Sequence, residues 1–388
     1  MAEQSINVKP ELIRWAIERS GRSVDTLARY FPQIEQWMSE QAHPALRQPT
    51  LRQLETLAKK TWTPLGYFFL SEPPEERLPI PDYRTARDQP IRRPSPNLID
   101  TLHTMQRRQA WMRDYLIELG HEQLPIIGSA KPLDDVHDVS TSIRRALGMD
   151  DGWASRIGTW TDALSVLREA AEAIGVLVVI NGVVGNATRR KLNPAEFRGF
   201  VLSDTYAPLV FINGADARSA QMFTLAHELA HLWVGEGGIF DLPEFESPGD
   251  RLEQFCNRVA AEFLIPAAEL REFWPDVRRD SEPFQKVARH FKVSPIVAAR
   301  RALDLNMIDR TAFFDFFHAY QNDERRRAMK SKGGNFYLTQ NVRLGKRFAR
   351  LVMLAAKEGR LLYRDAYSLT GLRGATFDRY AKSLGIAL

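Results

Sequence analysis

One cysteine, Cys256, stands in 388 residues, so an internal disulfide framework is excluded and a reducing compartment suits the chain. No apolar run reaches the roughly 20 residues that a membrane-spanning helix needs. The N-terminal stretch, with Glu3, Lys9, Glu11 and Arg14, lacks the apolar block of a secretory signal, and a cytoplasmic location with no membrane contact is expected. Charge excess is also small: 53 basic against 48 acidic residues leave +5, so any nucleic-acid contact has to come from local clusters. What remains, 44% hydrophobic and 26% charged, is the composition of a globular protein, and the length calls for two or three domains.

The most informative stretch runs from Met222 to Trp233 and contains His227, Glu228 and His231 in the spacing His-Glu-x-x-His. On a helix, positions four apart project from one face, so the two imidazoles can converge on one Zn²⁺. Glu228 lies roughly 100° round the helix, where a general base would sit. A third ligand must come from elsewhere.

Residues 1–78 read as a run of short helices. Leu12, Ile13, Ala16 and Ile17 share one face before Gly21; a second helix begins at Ser23; a third is expected over Pro32 to Gln41; a fourth follows Thr50, with Leu51, Leu54 and Leu57 as its buried stripe. This order resembles the repressor-type (Xre-like) helix-turn-helix regulators, through Ser23 to Ala28, Ile34 to Trp37 and Pro49 to Leu54. The resemblance implies operator DNA as a partner, with Gln33 and Gln36 reading bases. The third helix has no Lys or Arg for phosphate contacts, however, so a module for protein contact is an equal reading. Residues 79–130 are expected to be a Pro- and Arg-rich linker followed by a bracing helix to about Leu119, with Leu98, Leu102, Met105, Trp111, Tyr115 and Leu116 buried.

Residues 131–310 change to mixed α and β. Helices are expected at Asp134–Leu147 and Thr161–Ile174, and strands at Gly175–Ile180, Phe197–Leu202 and Pro208–Ile212. Three strands leading into a histidine helix is the layout of zinc peptidases, where the edge strand along the cleft can pair with an extended substrate. Beyond the helix, which Gly235 should stop, the acidic candidates for the third ligand are Glu236, Asp241, Glu244, Glu246, Asp250, Glu253 and Glu262. A helix from Ser247–Pro248 to Ile265 would hold Glu253 and Glu262 on opposite sides, so only one can face the metal. Glu253 is favoured because Asn257 follows one turn later, where its amide can hold a ligand histidine; Glu262 is the rival.

These residues resemble the ImmA/IrrE family of zinc metallopeptidases, through Phe197 to Phe200, Phe211 to Asn213, Phe223 to His231, Glu253 to Pro266 and Phe291 to Leu303. The resemblance implies a gluzincin-like endopeptidase with His227, His231 and Glu253 on zinc, Glu228 as base, and a repressor or antitoxin as its protein substrate, in a stress, mobile-element or toxin–antitoxin setting. A toxin encoded nearby is then a further partner. Tyr206, Arg198 and His290 are the candidates for stabilising a developing oxyanion.

Residues 311–388 are expected to form a basic helical C-terminal domain. It contains the stretch Arg325 to Gly334, a helix from Asn341 to Lys357 with Arg343, Lys346, Arg347 and Arg350, and two helices separated by Gly371 to Gly374. Arg343 and Arg347 are candidates for nucleic-acid contact. The expected whole is a multidomain, mainly α protein: a helix-turn-helix bundle, an α+β zincin-like domain with about three strands, and a helical C-terminal domain. A second reading makes it a DNA-binding regulator or antitoxin whose zinc domain senses or docks a partner with little turnover.

Overall fold

The computed structural model describes residues 5–39, 48–76, 78, 80, 94–240, 251–322 and 336–386. Most of the expected linker, the acidic residues Asp241, Glu244, Glu246 and Asp250, the Ser247–Pro248 pair and the Arg325–Gly334 stretch lie outside the described residues. Among the described residues no helix is long and apolar enough to cross a membrane. Two compact units are present, residues 1–79 with 86–102, and residues 80–85 with 103–388.

In the first unit, α1 (Pro10–Ser20) begins with proline in its first turn and closes on Gly21, whose φ of 65° is the left-handed backbone that glycine adopts at least cost. Ser23 caps α2 (Val24–Ala28) by accepting the Thr26 N–H. α3 (Ile34–Met38) has five residues, shorter than the expected helix over Pro32 to Gln41, because Ser39 has already turned extended (ψ 127°). Gln33 and Gln36 are exposed there. α4 (Leu51–Thr61) starts from a full capping box, Thr50 with Gln53. Its buried stripe is Leu54, Leu57 and Ala58; Leu51, expected to join them, is 45% exposed in the first turn. These side chains close one apolar core with Leu12, Ile13, Leu27, Ile34, Trp37 and Phe68. α5 (Pro96–Glu118) gives its first residues to this unit and the rest to the second. Along it Met112 is buried and Trp111 only half-buried, one position away from the expected face.

In the second unit, α6 (Val136–Leu147) and α7 (Trp160–Ala173) start on Asp135 and Thr159 caps. β1 (Leu177–Asn181) leads into a hairpin of β2 (Val183–Val184) and β3 (Ala187–Lys191), and then come β4 (Gly199–Leu202) and β5 (Leu209–Asn213). α8 (Arg218–Val234) carries the His-Glu-x-x-His residues and ends on Gly235 (φ 85°), with β6 (Gly238–Phe240) just after it. The sheet order is β1-β5-β4-β6: β1 is parallel to β5, β4 antiparallel to β5, and β6 antiparallel to β4. Three strands were expected from their continuous apolar runs, and β1, β4 and β5 are buried throughout. The fourth strand and the separate hairpin are the departure. β6 is three residues long and β3 reads Ala-Thr-Arg-Arg-Lys, so neither offers an apolar period.

α9 (Arg251–Leu264) stops before Pro266 as expected. α10 (Ala267–Val277), α11 (Pro283–Phe291), α12 (Pro295–Asp304) and α13 (Arg310–Asn322) follow. The core joins residues of α6 to α9 and the sheet to α10 through α13. The expected helix from Asn341 to Lys357 is two helices, α14 (Phe336–Leu344) and α15 (Lys346–Lys357), broken at Gly345, whose φ is 79°. A Cβ there would lie 3.2 Å from Glu172 Oε1 and 3.3 Å from the Val178 carbonyl, so packing as well as conformation requires glycine. α16 (Tyr363–Thr370) and α17 (Ala375–Ser383) match the last two expected helices.

Candidate metal centre

α8 is fixed before its histidines are considered. Its buried Gln221 side chain donates to the carbonyls of Gly214 (3.3 Å) and Asp216 (2.6 Å), tying the first turn to the end of β5. At the other end the Trp233 indole donates to Ser142 Oγ of α6 (3.2 Å), and the Gly128 and Ala130 N–H groups donate to the Leu232 and Trp233 carbonyls. Between these anchors α8 packs against β4, β5, α7 and α9.

His227 and His231 are fully buried on the face toward α9, and Glu253 of α9 meets them. The two Nε2 atoms are 3.0 Å apart; Glu253 Oε2 lies 3.3 Å from His227 Nε2 and Oε1 lies 3.2 Å from His231 Nε2. Ligands held tetrahedrally at about 2.0–2.1 Å from zinc are separated by roughly 3.3 Å, so this triangle fits that ion. Burial alone would push the Glu253 carboxyl up, but the bonds and charges of the two imidazoles outweigh it and hold it at about 2.

Glu228, 1% exposed, lies against β4. Its Oε1 lies where β4 passes: a Cβ on Gly199 would be only 2.5 Å from it. Its Oε2 is buried without a hydrogen-bond partner among the described residues. Burial, and then the negative charge of Glu253, push the Glu228 carboxyl well above the usual carboxylate range. Two imidazoles and the Glu253 carboxylate are a donor set for a cation, and a cation bound there would reverse the penalty on the Glu228 carboxylate.

The rival Glu262 is turned away. It pairs with Arg301 of α12, lies 3.2 Å from His137 Nδ1, and accepts the Ala267 N–H at 3.3 Å. Asn257 is half-buried on α9 and makes no side-chain hydrogen bond to either histidine among the described residues. Arg198, one residue before Gly199, is half-buried with its Nε 3.9 Å from Asp216 Oδ2. Tyr206 sits in the turn after β4, held by Asp204 Oδ1, at the end of the strand away from Gly199. His290 stacks on Phe273 (4.2 Å between ring centres) and lines a shallow depression with Leu264, which is roughly 16 Å along α9 from Glu253. Of the three oxyanion candidates, only Arg198 is brought beside the site by its neighbours in the chain. Arg343 and Arg347 are half-buried, and burial lowers both guanidinium pKa values; Lys346 and Arg350 are exposed. The close approach of Gly199 to Glu228 was not foreseen, although the Phe197 to Phe200 run had marked the strand.

No curated protein matches the chain. Residues 344–383 match a model described as a domain of unknown function, DUF8813. Residues 171–303, which contain His227, Glu228, His231 and Glu253, match the model of the IrrE N-terminal-like domain, a peptidase family, and this match supports a metallopeptidase domain of the ImmA/IrrE type.

Proposed function

We propose that the chain is a zinc-dependent endopeptidase that cuts a regulatory protein of the repressor or antitoxin kind. The observation that carries the reading is the convergence of His227, His231 and Glu253 beside a buried carboxylate oxygen of Glu228 that has no hydrogen-bond partner among the described residues. His227 Nε2, His231 Nε2 and the Glu253 carboxylate would hold the zinc. Zinc, when bound, polarises the scissile carbonyl and makes water a nucleophile at neutral pH. Glu228, buried beside β4, takes the proton from the attacking water and delivers it to the leaving amine. Gly199 leaves the Glu228 carboxylate its space. The Xre-like reading of residues 1–78 belongs to the same proposal, as a unit that keeps the peptidase beside the protein it cuts.

Co-expression of wild-type chain and Glu228→Gln with the proteins encoded beside this gene, followed by mass spectrometry of fragments, tests the reading. Glu228→Gln is expected to keep one zinc per chain and produce no fragment, and Glu253→Ala to lose the zinc. Equal fragments from wild type and Glu228→Gln would refute it.

A further inference from the structure

A β-strand has two rows of backbone donors and acceptors, and in β4 both rows are in use. The Arg198 carbonyl accepts the Asn213 N–H of β5 at 2.8 Å, so by alternation Phe200 also faces β5. Gly199 and Val201 therefore face the other way, and their partners there are Phe240 and Gly238 of β6. This is the part of β4 that lies over Glu228, as the 2.5 Å approach at Gly199 shows. An extended polypeptide that is to present a peptide bond to Glu228 needs a backbone row to pair with at this point. The row is already taken by three residues of the same chain.

We propose that β6 is an intramolecular occupant of the polypeptide-binding edge. The protein rests closed, and a substrate segment enters by exchanging with Gly238–Phe240 on β4. This rests on the peptidase reading of the site and states how access to it is controlled. The construction of β6 suits exchange. Its ladder consists of two hydrogen-bonded pairs at most, and it is reached from α8 through Gly235, in a left-handed conformation (φ 85°), and Gly237. The ligand class follows from the same geometry: an extended, unfolded stretch of polypeptide, held by its main chain.

The test uses the zinc-loaded full chain and two probes. Acetohydroxamate chelates zinc but has no strand; a hydroxamate carrying four uncharged residues has one. Gly238→Pro removes the N–H that faces Val201, whereas Gly238→Ala keeps it. Gly238→Pro is expected to bind the peptidyl hydroxamate about tenfold or more tightly than wild type, because the open form no longer has to be drawn from a minor population. Gly238→Ala should stay near wild type, and acetohydroxamate should bind all three alike. In wild type, hydrogen exchange should show Gly238 and Phe240 amides losing protection when the peptidyl probe binds, while Gly199 and Val201 stay protected; this arm holds even if Gly238→Pro does not fold. Equal affinity of the peptidyl probe for all three proteins, or protected Gly238 and Phe240 amides in its complex, would overturn strand exchange. Failure of acetohydroxamate to bind any zinc-loaded form would instead bring down the peptidase reading, and the proposal with it.

Discussion

Alanine at position 199 places a methyl group in the space that the Glu228 carboxylate fills. The new carbon would stand 2.5 Å from Glu228 Oε1, 2.7 Å from Thr224 Cγ2 and 3.0 Å from the Phe211 carbonyl oxygen. The first contact is short of ordinary van der Waals separation by about 0.9 Å. The Phe211 carbonyl cannot yield easily, because the β4–β5 ladder pairs Phe200 with Phe211 and Gly199 with Ile212. The softest element is the carboxylate at the end of a rotatable side chain, so Glu228 moves by nearly that distance. A base misplaced by about 1 Å costs on the order of 10²-fold in rate. Overpacking at a buried position adds roughly 1–3 kcal/mol of destabilisation. The histidines face α9 rather than β4, so zinc content should stay at one per chain. The assay is kcat/KM on a fluorogenic peptide that the wild type cleaves, with zinc measured by mass spectrometry. Adding Thr224→Ser removes the second clash and should recover stability without recovering the rate. A Gly199→Ala enzyme with wild-type kcat/KM would refute the claim that β4 positions the base, and simultaneous loss of zinc would show that the whole site had collapsed.

Glu262→Ala is expected to leave zinc content unchanged but to cost about 3–5 kcal/mol in urea unfolding, because buried Arg301 loses its carboxylate; zinc loss without that cost would restore Glu262 as a ligand. Zinc should stabilise the fold by mass action, by about 2.7 kcal/mol at a hundredfold excess over its Kd, and a melting temperature that zinc and chelator leave unmoved would contradict a site built for the ion. Glu172 supplies a pH signature: burial pushes its carboxyl from 4.5 to about 7, more than Arg168 and the Lys346 N–H lower it. The folded chain then holds a proton that the unfolded chain has released, so this contribution is full below pH 4.5 and is lost as pH rises to about 7. Glu172→Gln, which can still accept the Lys346 N–H, should flatten stability between those limits by up to about 3 kcal/mol, and an unchanged slope in urea melts would rule Glu172 out as its source.

Elements that carry their own start and stop signals were legible. α1 ends at Gly21, α4 begins at Thr50 with Gln53, and α8 ends at Gly235, all as local chemistry requires. What escaped was set by partners distant in sequence. Gly345 looks like a tolerated glycine inside a helix until Glu172 and Val178 are seen to press on it. β6 has no pattern of its own and exists because β4 offers it an edge. The bland composition of Arg343 and Arg347 suggested an exposed basic face, and only packing shows that both are half-buried.

The third ligand shows where that boundary falls within a single helix. Helical geometry alone put Glu253 and Glu262 about 180° apart and so allowed one ligand, not two. It could not by itself choose, because the same geometry lets either carboxylate face α8. The choice is made by Arg301, 39 residues beyond Glu262, which takes that carboxylate into an ion pair while His227 and His231 take the other. Each pairing makes the alternative costly: turning Glu262 toward the histidines would leave buried Arg301 without its carboxylate. Which carboxylate joins the candidate metal site is therefore a property of two charge pairs on opposite sides of α9, and the helix is held in its rotation by both.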